Sequence, residues 1–208
     1  LRALGIAVAE WDMYRGSLGP DQFSVDVTDE DSVAAAWSST VAAGPVTGLV
    51  CGAAVWDRVS LEESTLSRWN RTIDVNLTGC YLSTKAVWDH FAANQGGHIV
   101  LIASIAGIRP PRVPSPAYAA SKAGVIALGR SLASEGAKHG IRCNMVAPGA
   151  VDTKMLTSVL SDEELAGYES QAALGRLARP DEIAEVISAV LDVQTPFLSG
   201  AFIEVTGG

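Results

Sequence analysis

The chain of 208 residues carries 15 basic and 23 acidic side chains, a formal charge of −8, which argues against nucleic acid or an anionic membrane surface as a partner. The length suits a single domain over residues 1–208 with a substantial buried core, and a small molecule is the expected partner. No apolar run reaches the length of a membrane span and no charged-then-apolar export signal is visible, so a cytoplasmic protein is expected.

Residues 5–11 read as a strand ending at Asp12, and residues 23–27 as a second short strand. Thr28 is the expected cap of a helix over 29–42, whose first turn is acidic as the helix dipole favours. A strand over 46–51 follows, then helices over 62–75 and 77–93. Residues 97–104 form a short apolar strand that ends in the hydroxyl of Ser104, and residues 117–132 a helix rich in small side chains. A strand over 141–146, a short helix over 161–168, a helix over 180–191 and a terminal strand complete the chain. Apolar strands that alternate with helices predict an α/β fold, a doubly wound parallel sheet covered on both faces. The prolines 110, 111, 114 and 116 stiffen the loop that enters the 117–132 helix. Cys51, Cys80 and Cys143 are odd in number and widely spaced, and His90, His98 and His139 are isolated, so neither a disulfide framework nor a metal site is expected.

Tyr118-Ala119-Ala120-Ser121-Lys122 carries the chemistry. Four residues is a little over one helical turn, so the Lys122 ammonium can lie beside the Tyr118 phenol. A tyrosine titrates near 10 in water, and a neighbouring positive charge favours the phenolate, which predicts a lowered pKa for Tyr118. Hydride transfer at a carbinol or carbonyl carbon needs such a group, because the oxygen must lose or gain a proton as the hydride moves. Alone, the pair also suits an exposed helical surface. The order strand, loop, helix is what places Ser104 near Tyr118, where it can hydrogen-bond a substrate oxygen.

On these residues the chain resembles the short-chain dehydrogenase/reductase family from Leu1 to Gly208. Asp74-Val75-Asn76-Leu77 is similar to the family's catalytic Asn segment, and Ser104, Tyr118 and Lys122 to its polarising Ser and acid/base pair. Pro148-Gly149-Ala150-Val151-Asp152-Thr153 resembles the turn that covers the nicotinamide, and residues 200–208 the last strand. The resemblance implies a Rossmann-like fold and a secondary alcohol interconverted with a ketone. In it Tyr118 transfers the proton, Lys122 lowers its pKa and bonds the nicotinamide ribose, Ser104 orients the substrate oxygen, and Asn76 holds a water linking Lys122 to solvent. It further implies that Asp12, Asp26, Val27, Cys51, Ala53, Tyr118, Lys122, Pro148, Gly149, Val151 and Thr153 meet the cofactor, that residues 152–177 close over substrate, and that the protein is a homotetramer. Helices 77–93 and 117–132, apolar or small around much of their circumference, suit such an assembly.

Asp12 stands where a dinucleotide fold places the group that meets the adenosine ribose, which favours NAD over NADP; Arg15 is the nearby counter-charge that would favour the phosphate. Two features depart from the family. Cys51-Gly52-Ala53-Ala54 replaces its Asn-Asn-Ala-Gly, and no Gly-x-Gly occurs anywhere. The first strand and glycine-rich turn are therefore expected to be missing, roughly 25–30 residues of a βαβ unit. Cys51 is expected to be a packing residue of the cofactor groove, since no cation neighbours it in sequence.

Within the family, residues 160–164 and 174–177 resemble the β-ketoacyl-carrier-protein reductases. Pro111-Arg112-Val113, Arg142-Cys143-Asn144 and Asp152-Thr153 resemble the 2,3-dihydro-2,3-dihydroxybenzoate dehydrogenases. The second resemblance implies a ring-diol substrate, with Arg112 either a carboxylate ligand or a solvated loop cation. Val55, Ile105, Ala106, Met155 and Leu156 are the expected pocket lining. A catalytically silent binding or scaffold protein on the same fold remains the alternative of another class. A nucleotide-sugar epimerase would need a larger C-terminal domain than this length allows.

Overall fold

Apolar, β-branched runs become inner strands because both of their faces are covered. In the computed structural model, which describes residues 1–13, 19, 21–192 and 196–208, β3 (Gly48–Cys51), β4 (Gly97–Ile102), β5 (Ile141–Pro148) and β6 (Phe202–Val205) form one parallel sheet in that order. Cys51 pairs with Leu101 of β4, Leu101 with Met145 of β5, and Met145 with Phe202 of β6. Helices α3 (Gly79–Ala93) and α4 (Pro116–Gly136) cover one face through Cys80, Val87, Phe91, Val125 and Ile126, packed on Ile99, Leu101 and Met145. On the other face α7 (Pro180–Leu191) brings Ile183, Ile187 and Val190 onto Val100 and Val146. Each such side chain contributes about 1.5–3 kcal/mol of burial.

The two-stranded parallel sheet of β1 (Glu10–Asp12) and β2 (Gln22–Ser24) is separate. It is backed by α1 (Glu30–Ala43) through Val25, Val33 and Ala36. No ladder joins β1 to β3 among the described residues. A cleft of about 1810 Å³ lies between them, walled by residues such as Val8 and Trp11 on one side and Leu49 and Cys51 on the other. The parallel sheet is thus interrupted between β1 and β3 among the described residues.

Several boundaries differ from expectation. The cap of α1 is Asp29, whose side chain accepts from the Asp31 amide, while Thr28 is drawn to Asp26 through its amide and hydroxyl. The 62–75 helix starts later, as α2 (Leu66–Ile73) capped by Thr65, because residues 61–63 form a turn. Between α2 and α3 the chain widens into one π-helical turn, Asp74–Thr78. Of residues 5–11 only the end is a strand, preceded by a 3₁₀ turn at Arg2–Leu4.

Candidate active site

The site is built at the C-terminal ends of β4 and β5, where an open parallel sheet leaves a crevice. Ser104 follows β4 and caps a 3₁₀ turn, Ile105–Gly107, its Oγ accepting from the Ala106 amide at 3.2 Å. That turn rests directly on α4. A Cβ at Gly107 would lie 2.8 Å from the Ala123 nitrogen and the Lys122 carbonyl carbon, so only glycine permits the approach. The entry to α4 is fixed in turn by buried Ser115, whose hydroxyl donates to the Asp57 carbonyl at 2.5 Å, and by Pro116 in the first helical turn.

These constraints bring Ser104 to Tyr118, its hydroxyl close enough to the phenol to act on its ionisation. Lys122 is only 2% exposed and donates from Nζ to the Ile102 carbonyl at 2.7 Å. Its nitrogen lies 5.7 Å from the centre of the Tyr118 ring. The lowered Tyr118 pKa expected from the spacing is not found: burial pushes the phenol up, the Ser104 hydroxyl opposes this, and nearby Tyr168 adds to the rise. The reason is geometric. Lys122 spends its ammonium on a backbone carbonyl, and burial pulls its own pKa down.

Asn76, fully buried in the π turn, is a strut. Its Oδ1 accepts from the Val55 amide at 2.7 Å, and its Nδ2 donates to the Val55 carbonyl at 2.9 Å and to Ser121 Oγ at 3.0 Å. Ser121 passes the link on by donating to the Tyr118 carbonyl at 2.7 Å. The Asn76 carbonyl accepts from the Cys80 thiol at 3.2 Å. Asn76, Ser104, Tyr118 and Lys122 therefore form one connected group across three elements. Ser121 and Tyr168 were not singled out from sequence. Ser121 had a signal, a hydroxyl on the inward face of a helix otherwise lined by small and apolar side chains; Tyr168, fifty positions from Tyr118, had none.

The cleft between β1 and β3 gathers Asp12, Asp26, Val27, Cys51 and Ala53 in one wall-to-wall space. Pro148, Gly149, Val151 and Thr153 are not part of that lining. They continue from β5, where the Gly149 amide donates to the Val205 carbonyl at 2.9 Å, Val151 bridges to Ala178, and Thr153 precedes the short helix α5 (Lys154–Thr157). Arg15 lies outside the described residues.

A nicotinamide dinucleotide fits these residues at its two ends. Asp26 holds Thr28 with Oδ1 alone, at 2.7 Å from the hydroxyl and 2.9 Å from the amide, which keeps its pKa low and leaves Oδ2 to accept from a base. Gly52 presents open backbone, since a Cβ there would meet only an Ile102 carbon at 3.9 Å. Cys51 is buried, and the adjoining Cys80 thiol together with burial holds its pKa well up, which makes it a packing residue. Burial pushes Cys143 up to about 12. Among the described residues no group of His, Cys, Asp or Glu is placed to hold a metal ion, and no helix is long and apolar enough to cross a membrane.

Comparison with known proteins identifies the family. Residues 9–208 match the family described as enoyl-(acyl carrier protein) reductase. The chain is 40% identical over 185 residues to cis-4-hydroxycyclohexanecarboxylate dehydrogenase of Sinomonas cyclohexanicum, an alignment covering 88% of this chain and 74% of that protein. It is 34% identical over 213 residues to acetoacetyl-CoA reductase of Synechocystis sp., covering 100% and 87%. The solved structure of gox2181 superposes with a TM-score of 0.87 at 34% identity, covering 90% of this chain and 74% of that one. A parallel sheet wrapped on both faces, a match over nearly the whole chain and relatives at this level of identity lead to one conclusion: the chain belongs to the short-chain dehydrogenase/reductase family of nicotinamide-dependent oxidoreductases.

Proposed function

We propose that the protein is an NAD-dependent oxidoreductase that interconverts a secondary alcohol and a ketone. The observation that carries this reading is the approach of the Ser104 hydroxyl to the Tyr118 phenol, with Lys122 buried beneath the Tyr118 ring. Two hydroxyls that meet at one point can hold a substrate oxygen between them and stabilise charge developing on it. Tyr118 takes the hydroxyl proton during oxidation and returns it during reduction. The bound nicotinamide cofactor accepts or supplies the hydride.

Lys122, with two ammonium hydrogens beyond the one given to Ile102, can bond the cofactor ribose. The Asn76 side chain is engaged with Val55 and Ser121, which fixes the residue beside which the water linking Lys122 to solvent is proposed to sit. Pro148, Gly149, Val151 and Thr153 are the side of the crevice that meets the nicotinamide. Asp12, exposed at the end of β1, supports NAD: its carboxylate can accept from both ribose hydroxyls and would repel a 2′-phosphate. By their names, two relatives act on a ring secondary alcohol and on a ketone. The reading includes one catalytic domain over residues 1–208, a homotetrameric assembly and a cytoplasmic setting, with which three free cysteines are consistent.

The test is turnover of a panel of secondary alcohols with NAD⁺ and with NADP⁺, in the parent and in Tyr118→Phe. NAD⁺-linked activity should fall by about 10²–10⁴-fold in the variant, with NADH still bound by fluorescence titration. Activity of the variant within a few-fold of the parent would assign the proton to another group, and equal use of NADP⁺ would remove Asp12 as the discriminator.

A further inference from the structure

We infer that Arg112 and Tyr168 form a carboxylate-recognition position near Tyr118, so that the alcohol or ketone handled carries an anionic group; this rests on the oxidoreductase reading and names its substrate class.

The position is created by helix α6 (Asp162–Glu169), which a capping box of Ser161 and Glu164 starts. Arg58 fastens the helix, pairing with Glu164 and donating to the Val159 carbonyl at 2.9 Å, so its charge is already used. Arg112 is not. Among the described residues no carboxylate is paired with it. Arg112 is exposed, and its guanidinium rests against α6 at Gly167, where a Cβ would overlap Nη2 and Cζ. The next residue, Tyr168, is half-buried. Val113, Arg112 and Tyr118 all lie close enough to its hydroxyl to act on it or be acted on by it.

A phenol hydroxyl has a hydrogen to donate to an acceptor that enters beside it. Two donors without acceptors, one a planar and permanently charged fork, thus stand side by side within electrostatic reach of the proton-transfer phenol. That set matches a carboxylate, which takes two bonds from the guanidinium and one from the phenol. The remaining acid of the same depression, Glu63, accepts from the Ser60 hydroxyl at 3.2 Å. A ring alcohol that also bears a carboxylate is the substrate named for the relative at 40% identity.

The experiment compares 4-hydroxycyclohexanecarboxylate with its uncharged carboxamide, NAD⁺ being saturating, in the parent, Arg112→Gln and Gly167→Ala. The second variant keeps the charge and favours the helix while evicting the guanidinium from its seat. The parent should prefer the carboxylate in kcat/KM by about 10–100-fold, and both variants should bring that ratio toward one. A parent that turns over both compounds equally, or a preference that survives both variants, overturns the carboxylate position and leaves the oxidoreductase reading intact. Failure to oxidise these or any neutral secondary alcohol defeats the oxidoreductase reading instead. Calorimetric titration with cyclohexanecarboxylate, which cannot react, then decides the position separately: binding weakened about 10-fold or more in both variants supports it, and equal binding in all three proteins overturns it.

Discussion

A phenol carries its proton at neutral pH, and at Tyr118 burial, opposed by Ser104, moves the pKa further up. The consequence is a direction-dependent pH profile. Ketone reduction needs the phenol, the form present throughout the neutral range, whereas alcohol oxidation needs the phenolate, whose share rises as pH approaches the raised pKa. Oxidation should therefore accelerate by about tenfold per pH unit from pH 7 upward, while reduction stays level and falls only in strong alkali. Initial rates in both directions between pH 6 and pH 10 (roughly the range in which a phenol changes state) check this. An oxidation rate that is flat above pH 7 would mean that the proton leaves by another route. The proximity of Ser104, Tyr118 and Lys122 was legible because their spacing and the order of elements already bring two hydroxyls and a cation together, whereas Asn76 was legible only through the family resemblance. The sign of the Tyr118 shift was not legible: spacing shows that Lys122 can approach the phenol, but not that its ammonium is held by the Ile102 carbonyl.

At the scale of elements, the π turn Asp74–Thr78 decides how the site is held. Widening the helix by one residue turns Asn76 inward, and its three hydrogen bonds tie α3 to the loop after β3 and to α4. Such turns are rare and concentrate at functional sites. Ser121→Ala removes both the acceptor of Asn76 Nδ2 and the donor to the Tyr118 carbonyl inside a fully buried contact. The expected loss is about 1–3 kcal/mol of stability, seen as a lower denaturation midpoint. At temperatures where the variant is fully folded, kcat should drop further than KM rises, because Tyr118 loses its alignment while the pocket walls stay. Unchanged kcat in a folded Ser121→Ala protein would show that the Asn76 link does not position Tyr118. Hydrophobic periodicity located α3, α4 and α7 closely, since their buried faces repeat at helical spacing. It could not reveal the π turn, which exists through bonds to Val55 and Ser121, distant in sequence. It also overestimated β1, where only Glu10–Asp12 finds a partner strand.

Over the whole molecule, the alternation of apolar strands and helices predicted a parallel sheet covered on both faces, as β3 to β6 are. The same alternation leaves one surface unexplained by the core of a single chain. The outer side of α4 presents Ala120, Ala123 and Ala127, all exposed, and near it on α2 and α3 Leu66, Trp69 and Tyr81 are 74%, 36% and 48% exposed. Alanines at positions spaced three and four apart make a flat helix face that a second helix can approach closely, and a two-fold axis through it places the same face opposite itself. Part of the α3 surplus is met within the chain, where α1 lies alongside and Lys85 pairs with Glu30 at 2.7 Å. The α4 face has no such cover among the described residues. Pairing of α4 with α4, repeated through a second axis, gives the proposed tetramer, and light scattering at micromolar concentration should return four times the 21.7 kDa chain mass. Ala127→Arg sets two guanidinium groups against each other across the axis and should yield smaller species of unchanged helix content. A parent that scatters as a monomer, or a variant that remains tetrameric, would place the assembly, or its interface, elsewhere than on this face.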